Sequence, residues 1–343
     1  MGYNETPSHL PKRRSRRRIA GDGREETGKK QPCGKKMSVW KMIVIDIFAA
    51  GVVLCVFSYF HHVNPIGEKS NPIVLPQKTA QVPAPAPDAA QTKEPSKFAE
   101  KFLAVGEEPQ KTENSYVSQN VHVTVETKQE GDVTYHVADI YVRDVTYLKT
   151  AMAGGDYDGS WQNRGYVNEI GKSVNAFVAI NGDQCTGHKE GVVVRNGVLY
   201  REVPYKDVCV LRYDGTLETI SQSEFDMEAL KEEGAWQAWS FGPMLLDNGQ
   251  PMENFNSEVQ EANPRSAIGM VEPGHYLLVS VDGRGESVGM TLKELSQLFY
   301  DLGCATAYNL DGGDTSAMAV DGKIYSAPSG DRKATDIIYI GME

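Results

Sequence analysis

The sequence predicts an α+β ectodomain that is rich in antiparallel strands with a few packed helices and is preceded by a single transmembrane helix. Three observations predict this class. One apolar stretch near the amino terminus is long enough to cross a bilayer. Beyond residue 116, short alternating segments are separated by tight turns, as antiparallel strands are. Only two clear helical segments interrupt these strands, and they do not produce a regular βαβ alternation.

Residues 42–60 are the predicted transmembrane helix. They read MIVIDIFAAGVVLCVFSYF and contain one charged residue, Asp46. A helix of this length spans roughly 28 Å, close to the hydrocarbon thickness of a bilayer. Residues 1–41 carry 12 Lys/Arg against 4 Asp/Glu and form a basic tail. Because positive flanks stay inside, we expect a single-pass protein of the cell membrane with this tail in the cytoplasm and the rest outside.

Composition restricts the partners of the remaining chain. The 343 residues have a net charge of −11 despite the basic tail, so the body is too acidic to hold nucleic acid electrostatically. The basic run Lys12–Arg18 is compatible with a localisation or nucleic-acid signal, but a topology signal that also touches anionic lipid explains it better. No glycosylation sequon follows the membrane span, which favours a bacterial cell surface over a eukaryotic secretory glycoprotein.

Two regions follow the predicted membrane helix. Residues 61–115 hold eight of the 17 prolines, and several alternate with alanine, which predicts an extended extracellular linker. Residues 116–343 form the predicted folded domain. Five cysteines are too few for a disulfide scaffold, but a Cys185–Cys209 disulfide outside the membrane is one hypothesis for this domain.

Periodicity predicts the elements of the folded domain. A hairpin joins His122–Thr127 to Tyr135–Arg143 through Glu130-Gly131-Asp132. Further strands are expected at Val174–Ile180, Gly191–Val194, Val198–Arg201, Val208–Tyr213, Tyr276–Val281, Ala305–Asn309, Met318–Val320 and Ile337–Ile340. One helix is expected at Ser223–Glu233. A second is expected at Leu292–Leu302, where Thr291 and Glu294 form a capping box and Gly303 ends the helix.

Four loops carry more Gly, Asp and Asn than chain reversal requires: Ala179–Asp183, Asn263–Gly269, Val281–Gly285 and Asn309–Ser316. Each alone is also explained as a turn, since Asn-Gly and Asp-Gly are common in hairpins. Together they supply carboxylates, two arginines and a Gly-Gly-x-Thr-Ser backbone nest. Carboxylates act as acids, bases or nucleophiles at sugars, whereas arginines and backbone amides hold phosphate.

These loops belong to a longer ordered set of motifs, through which the chain from about Ala151 to Ile340 resembles the phosphodiester glycosidase family. The motifs are INGD (180–183), RNGVLY (195–200), SFGPMLLDNG (240–249), NPRSAIG (263–269), LLVSVDGR (277–284), GMTLKELSQLFYDLGC (289–304) and NLDGGDTSAM (309–318). The resemblance implies hydrolysis of the bond between a sugar anomeric carbon and a phosphodiester oxygen, as in N-acetylglucosamine-1-phosphodiesters. Asp314 and the amino-terminal position of the anchor depart from the family pattern.

The resemblance and the residue types together suggest roles. Asp282 and Asp311 are candidates for nucleophile or base, and Asp183 for proton donor or sugar contact. Arg265, assisted by Arg284, is the candidate for holding the phosphate. The remaining substrate-binding candidates are Asn181, Gly182, Asn309, Gly312, Gly313, Thr315 and Ser316. His188 is either a surface residue or within reach of this site.

No cofactor is expected, because the chain lacks an HExxH motif and a Cys/His cluster. A divalent cation held by Asp183, Asp311 or Asp314 is compatible with these side chains, although nothing in the sequence requires it. The alternative function is a non-catalytic module that binds surface polysaccharide and assists its assembly. Such a module would use the same loops for binding alone.

Overall fold

A computed structural model describes residues 38–62, 72–77, 97–159, 161–327 and 330–343. The basic tail up to residue 37 therefore lies outside the described residues. Helix α1 (Val39–His62) contains the predicted membrane span. Its segment Val39–Ser58 has a mean hydropathy of 2.2, and none of it is buried. By length and composition α1 could cross a membrane, as a membrane anchor or a signal sequence does.

The described part of the domain has three further helices and twenty strands, mostly short. The helices are α2 (Val167–Ser173), α3 (Met227–Glu233) and α4 (Leu292–Asp301). The strands are β1 (Ile73–Val74), β2 (Gln110–Lys111), β3 (Ser115–Val117), β4 (Val121–Glu130), β5 (Val133–Val142), β6 (Leu148–Met152), β7 (Ala176–Asn181), β8 (Val193–Arg195), β9 (Val198–Arg201), β10 (Val208–Leu211), β11 (Leu217–Ile220), β12 (Gln237–Trp239), β13 (Leu246–Asp247), β14 (Gln250–Pro251), β15 (Arg265–Glu272), β16 (His275–Val281), β17 (Thr306–Asn309), β18 (Met318–Val320), β19 (Lys323–Ile324) and β20 (Asp336–Gly341).

The strands form three main sheets, and every described strand pair is antiparallel. One sheet has the order β17-β15-β16-β5-β4-β3-β2, the second β1-β9-β8-β12-β10-β11, and the third β19-β18-β7-β20-β6, while β13 and β14 form a separate hairpin. The predicted mixed α+β fold, dominated by antiparallel strands, is confirmed.

The three sheets share one apolar core. Ile140 from the seven-stranded sheet, Trp239 from the six-stranded sheet and Ile338 from the five-stranded sheet belong to the same fully buried cluster. Helix α4 packs its Leu295 and Phe299 on the opposite face of the seven-stranded sheet. Strands β5, β15, β16 and β17 of this sheet therefore contribute buried residues to both faces, which explains their nearly continuous apolar runs.

Most predicted elements are present, with three differences. Helix α4 has its Thr291–Glu294 capping box, and the β4–β5 hairpin turns at Gly131-Asp132, both as predicted. Helix α3 begins only after Asp226, whose carboxylate accepts hydrogen bonds from the amides of the first turn. Helix α2 was not anticipated. In the predicted loop Asn263–Gly269, the residues from Arg265 onward instead form the start of the buried strand β15.

Part of the predicted linker packs on the domain. Strand β1 pairs with β9. Leu75, just beyond β1, is buried in an apolar cluster with Leu230 of α3. Farther along, Phe102 is buried and the amide of Leu103 donates to Ser118. The rest of the predicted linker, residues 63–71 and 78–96, lies outside the described residues, so its extended conformation stays a prediction.

Leu75→Ala should destabilise the domain by about 2–4 kcal/mol, because it leaves a cavity under a buried leucine. Val74→Ala is the matched control, since Val74 lies in the same segment with 79% of its surface exposed and should change stability little. Chemical unfolding of both variants measures the difference. Equal effects would show that this segment does not pack on the domain.

Candidate functional site

Strand pairing explains why the four loops meet. In the antiparallel seven-stranded sheet, the start of β15 at Arg265 pairs with the end of β16 at Val281, and Ala267 pairs with Asn309 at the end of β17. The end of β7 joins this group through a hydrogen bond, 2.6 Å long, from Ser266 Oγ to Asn181 Oδ1. All four loops thus lie at one edge where two sheets adjoin.

A cavity of about 320 Å³ opens at this edge. Four cationic side chains line it: Lys206, Arg265, Arg284 and Arg332. They face three carboxylates: Glu258, Asp311 and Asp314. A larger cavity of about 640 Å³ lies elsewhere, beside α2 and Arg195, but only one carboxylate, Glu169, lines it. The smaller cavity is therefore the candidate site, because it concentrates the ionisable groups.

Asp311 is the buried carboxylate of this cavity. Its Oδ1 accepts a hydrogen bond of 2.9 Å from Arg332 Nη2, and its own amide donates to Gly182 O. Burial raises the pKa of Asp311, while Arg332 and a hydrogen bond from Thr315 lower it in part. A carboxylate with a raised pKa beside a cavity is a suitable proton acceptor.

Asp183 lies behind the cavity, in a buried ion pair. Its Oδ1 accepts from Arg195 Nη2, and its Oδ2 accepts from the amide of Ser240 at 3.0 Å. Arg195 Nε also donates to Asp336 Oδ2 at 2.7 Å, so one guanidinium joins two buried carboxylates. Burial raises the pKa of Asp336 to about 6, although Arg195 opposes this shift. Asp183 therefore holds strands together and does not line the cavity.

Asp282 is also engaged by the protein. Its Oδ2 lies 3.0 Å from His136 Nε2, and its Oδ1 accepts from the amide of Ala327 at 3.0 Å. Both side chains of this His–Asp pair are buried, and Asp282 is not among the cavity-lining residues. Asp311 thus lines the cavity, whereas the Asp282 carboxylate is held by His136 and Ala327.

The two predicted phosphate-binding arginines line the cavity, but their donors are occupied. Arg265 donates to three main-chain carbonyls, those of Val259, Glu261 and Met290. Burial lowers the pKa of Arg265 to about 10. Arg284 pairs with Asp314, and its backbone has a φ of 62°, which is unusual for a residue other than glycine. Arg265 thus supplies positive potential to the cavity, and Arg284 forms an ion pair at its exposed rim.

The remaining predicted residues form the backbone frame of the cavity. Asn181 is fully buried and donates to Gly182 O and Asp311 O, which fixes the two loops against each other. A side chain at Gly182 would collide with the Asp336 carboxylate, and one at Gly312 would crowd Pro264 O. Gly313 has a φ of 63°, and Thr315 Oγ1 accepts from Arg332. Among the described residues, buried Asn309 Oδ1 and Ser316 Oγ lack hydrogen-bond partners.

Each carboxylate considered for a divalent cation pairs with an arginine: Asp183 with Arg195, Asp311 with Arg332, and Asp314 with Arg284. One group with suitable donor spacing consists of Asp183, Cys185 and Asp336. Burial raises the pKa of the Cys185 thiol, which disfavours the thiolate that a metal requires. The hypothesis of a Cys185–Cys209 disulfide is corrected, because both thiols are free and buried, and Cys185 packs against Met152 and Thr335.

Comparison with known proteins identifies the fold around this cavity. Residues 172–341 match the profile of the phosphodiester glycosidase family. These residues form a domain of the phosphodiester glycosidase family. The match includes every predicted site residue from Asn181 to Ser316, together with Arg332 and Asp336.

Relatives of this glycosidase domain occur in bacteria and animals. The chain is 28% identical over 256 residues to the SPbeta prophage-derived uncharacterized protein YomE of Bacillus subtilis, an alignment covering 66% of the chain and 39% of that protein. It is 31% identical over 222 residues to human N-acetylglucosamine-1-phosphodiester alpha-N-acetylglucosaminidase, covering 56% of the chain and 42% of that enzyme. The chain thus spans less than half the length of these curated relatives.

A solved structure supports the same fold. The catalytic domain of zebrafish N-acetylglucosamine-1-phosphodiester alpha-N-acetylglucosaminidase, auto-inhibited by its pro-peptide, superposes with a TM-score of 0.54 at 22% identity. The superposition covers 65% of this chain and 83% of the zebrafish chain. This likeness establishes the fold of the glycosidase domain.

Two arginines escaped the sequence analysis: Arg332, which lines the cavity, and Arg164, which does not. Arg332, in the charged run Asp331-Arg332-Lys333, pairs with Asp311 and donates to Gly312 O at 2.7 Å. Arg164 precedes the residues that match the family. Neither has a neighbouring glycine-rich motif, so the sequence carries no local signal for them. His188, in contrast, is half-buried near Phe241 of the cavity, with ring centroids 6.5 Å apart.

Proposed function

We propose that this protein is a membrane-anchored hydrolase that cleaves the bond between a sugar anomeric carbon and a phosphodiester oxygen in a surface polysaccharide or related glycan. The observation that carries the proposal is buried Asp311, which lies in a cavity lined by four cations. The family of residues 172–341 supports a glycosidase-type reaction. The substrate class and the location outside the membrane are our inference.

The charge of the cavity suits an anionic substrate. The whole chain carries −11, yet Lys206, Arg265, Arg284 and Arg332 converge on one cavity. Cations that line a concave, partly desolvated surface attract negatively charged ligands and retain them. A phosphodiester carries one negative charge beside its sugar, so this cavity favours it over a neutral glycoside.

Asp311 is the group that we assign to the chemical step. Its carboxylate either attacks the anomeric carbon or accepts a proton from the water that does. In the second route, the water oxygen bonds to the anomeric carbon, the bond from that carbon to the phosphate oxygen breaks, and the proton passes to Asp311. The products are a free sugar and a phosphomonoester. Because phosphate is a good leaving group, this step needs less acid assistance than ordinary glycoside cleavage does.

Asp183 and Asp282 are assigned positioning roles. Both oxygens of each carboxylate accept hydrogen bonds from the protein or face a histidine. Asp183 connects the loop after β7 to Arg195, and Asp282 connects the end of β16 to Ala327. Both therefore fix the chain on either side of Asp311 without contacting substrate.

Arg332→Gln should shift the acidic limb of the pH–rate profile to higher pH. Arg332 lowers the pKa of Asp311, so removing the cation raises that pKa, and the active carboxylate form is lost at a higher pH on acidification. The measurement is kcat/KM against pH. Lys293→Gln is the control, because Lys293 pairs with exposed Glu253 on α4. A limb that stays in place would remove Asp311 from the role of base.

The experiment that tests the function uses the full-length chain in detergent. The protein is incubated with sugar-1-phosphodiesters, including UDP-N-acetylglucosamine, and free sugar is measured. Release that requires Asp311 supports the proposal. Binding of these compounds or of surface polysaccharide without release would contradict hydrolysis and support the non-catalytic binding module instead.

A further inference from the structure

Arg164 is an arginine with an unused pair of donors. It lies in the loop before α2 and is half-buried, with its Cζ 3.5 Å from the centre of the Trp161 ring. Its Nε and Nη2 atoms are shielded from solvent, and neither has a hydrogen-bond partner among the described residues. Shielded, unpaired donors of a charged group are costly, and they occur where a ligand completes the site.

The three arginines that line the cavity differ from Arg164 in this respect. Arg265 uses its donors on main-chain carbonyls, Arg284 pairs with Asp314, and Arg332 donates to Asp311, Gly312 and Thr315. Each of these guanidinium groups already has protein acceptors. Among these four arginines, Arg164 is the one whose Nε and Nη2 both lack an acceptor among the described residues.

The chemistry of that fork is specific. Nε and Nη2 lie on one edge of the planar guanidinium, which matches two oxygens of a phosphate. Burial lowers the pKa of Arg164, nearby Asp311 raises it, and nearby Arg332 lowers it, so the group is close to the proposed catalytic carboxylate. Stacking on Trp161 fixes the plane of the guanidinium and favours its charged form.

A second shielded group adjoins this arginine. Among the described residues, His188 Nε2 has no hydrogen-bond partner, and the His188 ring lies edge-on to Trp161 with centroids 6.1 Å apart. The His188 ring also lies near the ring of Phe241, which lines the cavity. Ring contacts thus connect Arg164, through Trp161 and His188, to Phe241 at the cavity of Asp311.

We propose that Arg164 is the phosphate-binding residue of the site and that its Nε and Nη2 hold two non-bridging oxygens of the phosphodiester. The inference rests on the proposed function for the identity of the substrate. The sequence analysis assigned the direct phosphate contact to Arg265, assisted by Arg284. The proposal assigns it to Arg164 instead, which lies outside the segment that matches the family. Arg265 then contributes positive electrostatic potential, and Arg332 holds Asp311 in position.

The test compares Arg164→Gln with Arg143→Gln in the full-length protein. Arg143 is a matched control, because its Cζ also lies over an aromatic ring, 4.8 Å from the centre of Phe102, and its Nε donates to Gln119 O. Calorimetry measures binding of inorganic phosphate, and steady-state assays measure KM for UDP-N-acetylglucosamine. We expect Arg164→Gln to weaken phosphate binding by about 10- to 100-fold, whereas Arg143→Gln leaves it unchanged.

Arg164→Lys keeps the charge but cannot form the fork, so it should recover only part of the affinity. If Arg164→Gln fails to fold, Arg164→Lys still tests the role of the fork. Because the phosphate is held in both ground and transition states, KM should rise more than kcat falls. Phosphate affinity equal to the wild type in both variants, or no phosphate binding by the wild type, would overturn the inference.

Two outcomes separate this inference from the proposed function. Sugar release by the wild type with an unchanged KM in Arg164→Gln would leave the glycosidase function standing and remove Arg164 from phosphate binding. Phosphate binding that is lost in Arg164→Gln, in a protein that releases no sugar, would retain the phosphate site and refute hydrolysis.

Discussion

Asp311→Asn should lower the rate of sugar release by about 10²- to 10⁴-fold while the protein stays folded, because asparagine cannot accept a proton or form a glycosyl ester. The amide oxygen still accepts the hydrogen bond from Arg332 Nη2. Burial penalises the ionised carboxylate in the native state, as its raised pKa indicates, so the neutral amide should leave the melting temperature unchanged or higher. Release assays and thermal unfolding measure the two effects on the same sample.

Asp282→Asn is the matched control for this prediction. It removes the same charge from a buried carboxylate that faces His136 outside the cavity. We expect a loss of stability and a much smaller loss of turnover, because its role is to hold the end of β16. If Asp282→Asn stops turnover as completely as Asp311→Asn in folded protein, the assignment of Asp282 to a positioning role is wrong.

The sequence predicted the elements whose signals are local. The capping box at Thr291 and Glu294 lies within one turn of helix, and the Gly131-Asp132 turn lies within one hairpin. Residue chemistry also identified the Asp311 loop, because its glycines and acidic side chains exceed what a turn requires. In both cases the residues that determine the structure are neighbours along the chain.

Long-range contacts explain what the sequence did not predict. Asp183, Asp282 and Asp311 all follow strands in similar Gly-rich loops, but their different partners support the different roles that we propose for them. Asp183, which follows β7, meets Arg195 of β8 in another sheet, and Asp282 meets His136, which is 146 positions away. Arg332 reaches Asp311 from 21 positions away, beyond the β18–β19 hairpin. No periodicity or short motif encodes such pairings.

Long-range contacts also explain why the predicted loop Asn263–Gly269 contains the start of strand β15. Asn263–Gly269 contains Asn, Pro, Arg, Ser and Gly, which favour turns locally. In the fold, Gly269 lets Phe299 of α4 and Cys304 approach the strand closely, since a side chain there would collide with both. Ser266 is buried because its hydroxyl donates to Asn181 in the neighbouring sheet. Tertiary packing thus overrides the local preference at these positions.

Arg195 is the residue at which substitution should destabilise the fold most. It projects from β8 and donates to Asp183, to Asp336 at the start of β20 and to Ala238 O in β12, and all three side chains of this triad are buried. Arg195→Met would leave two carboxylates buried without a cation. Removing one partner of a buried ion pair costs about 3–5 kcal/mol, so we expect a loss of at least that size in chemical unfolding.

The pH dependence of that loss distinguishes a charge effect from a packing effect. Burial already raises the pKa of Asp336 to about 6 with the arginine present, and without the arginine this carboxylate should bind a proton still more readily in the folded state. Because the folded variant then binds more protons than the unfolded chain, its stability falls as pH rises. The deficit relative to the wild type should therefore be larger at pH 8 than at pH 5. A deficit independent of pH would mean that lost packing dominates.

A triple variant, Asp183→Asn, Asp336→Asn and Arg195→Met, is the control for the charge argument. It removes the cation together with both anions, so no uncompensated buried charge remains. Replacing a whole buried ionic network is often neutral, whereas breaking it is costly, and we expect the triple variant to be more stable than Arg195→Met alone at pH 8. If the triple variant is less stable, the triad acts mainly through its hydrogen bonds to Ser240 and Ala238, and its charge is secondary.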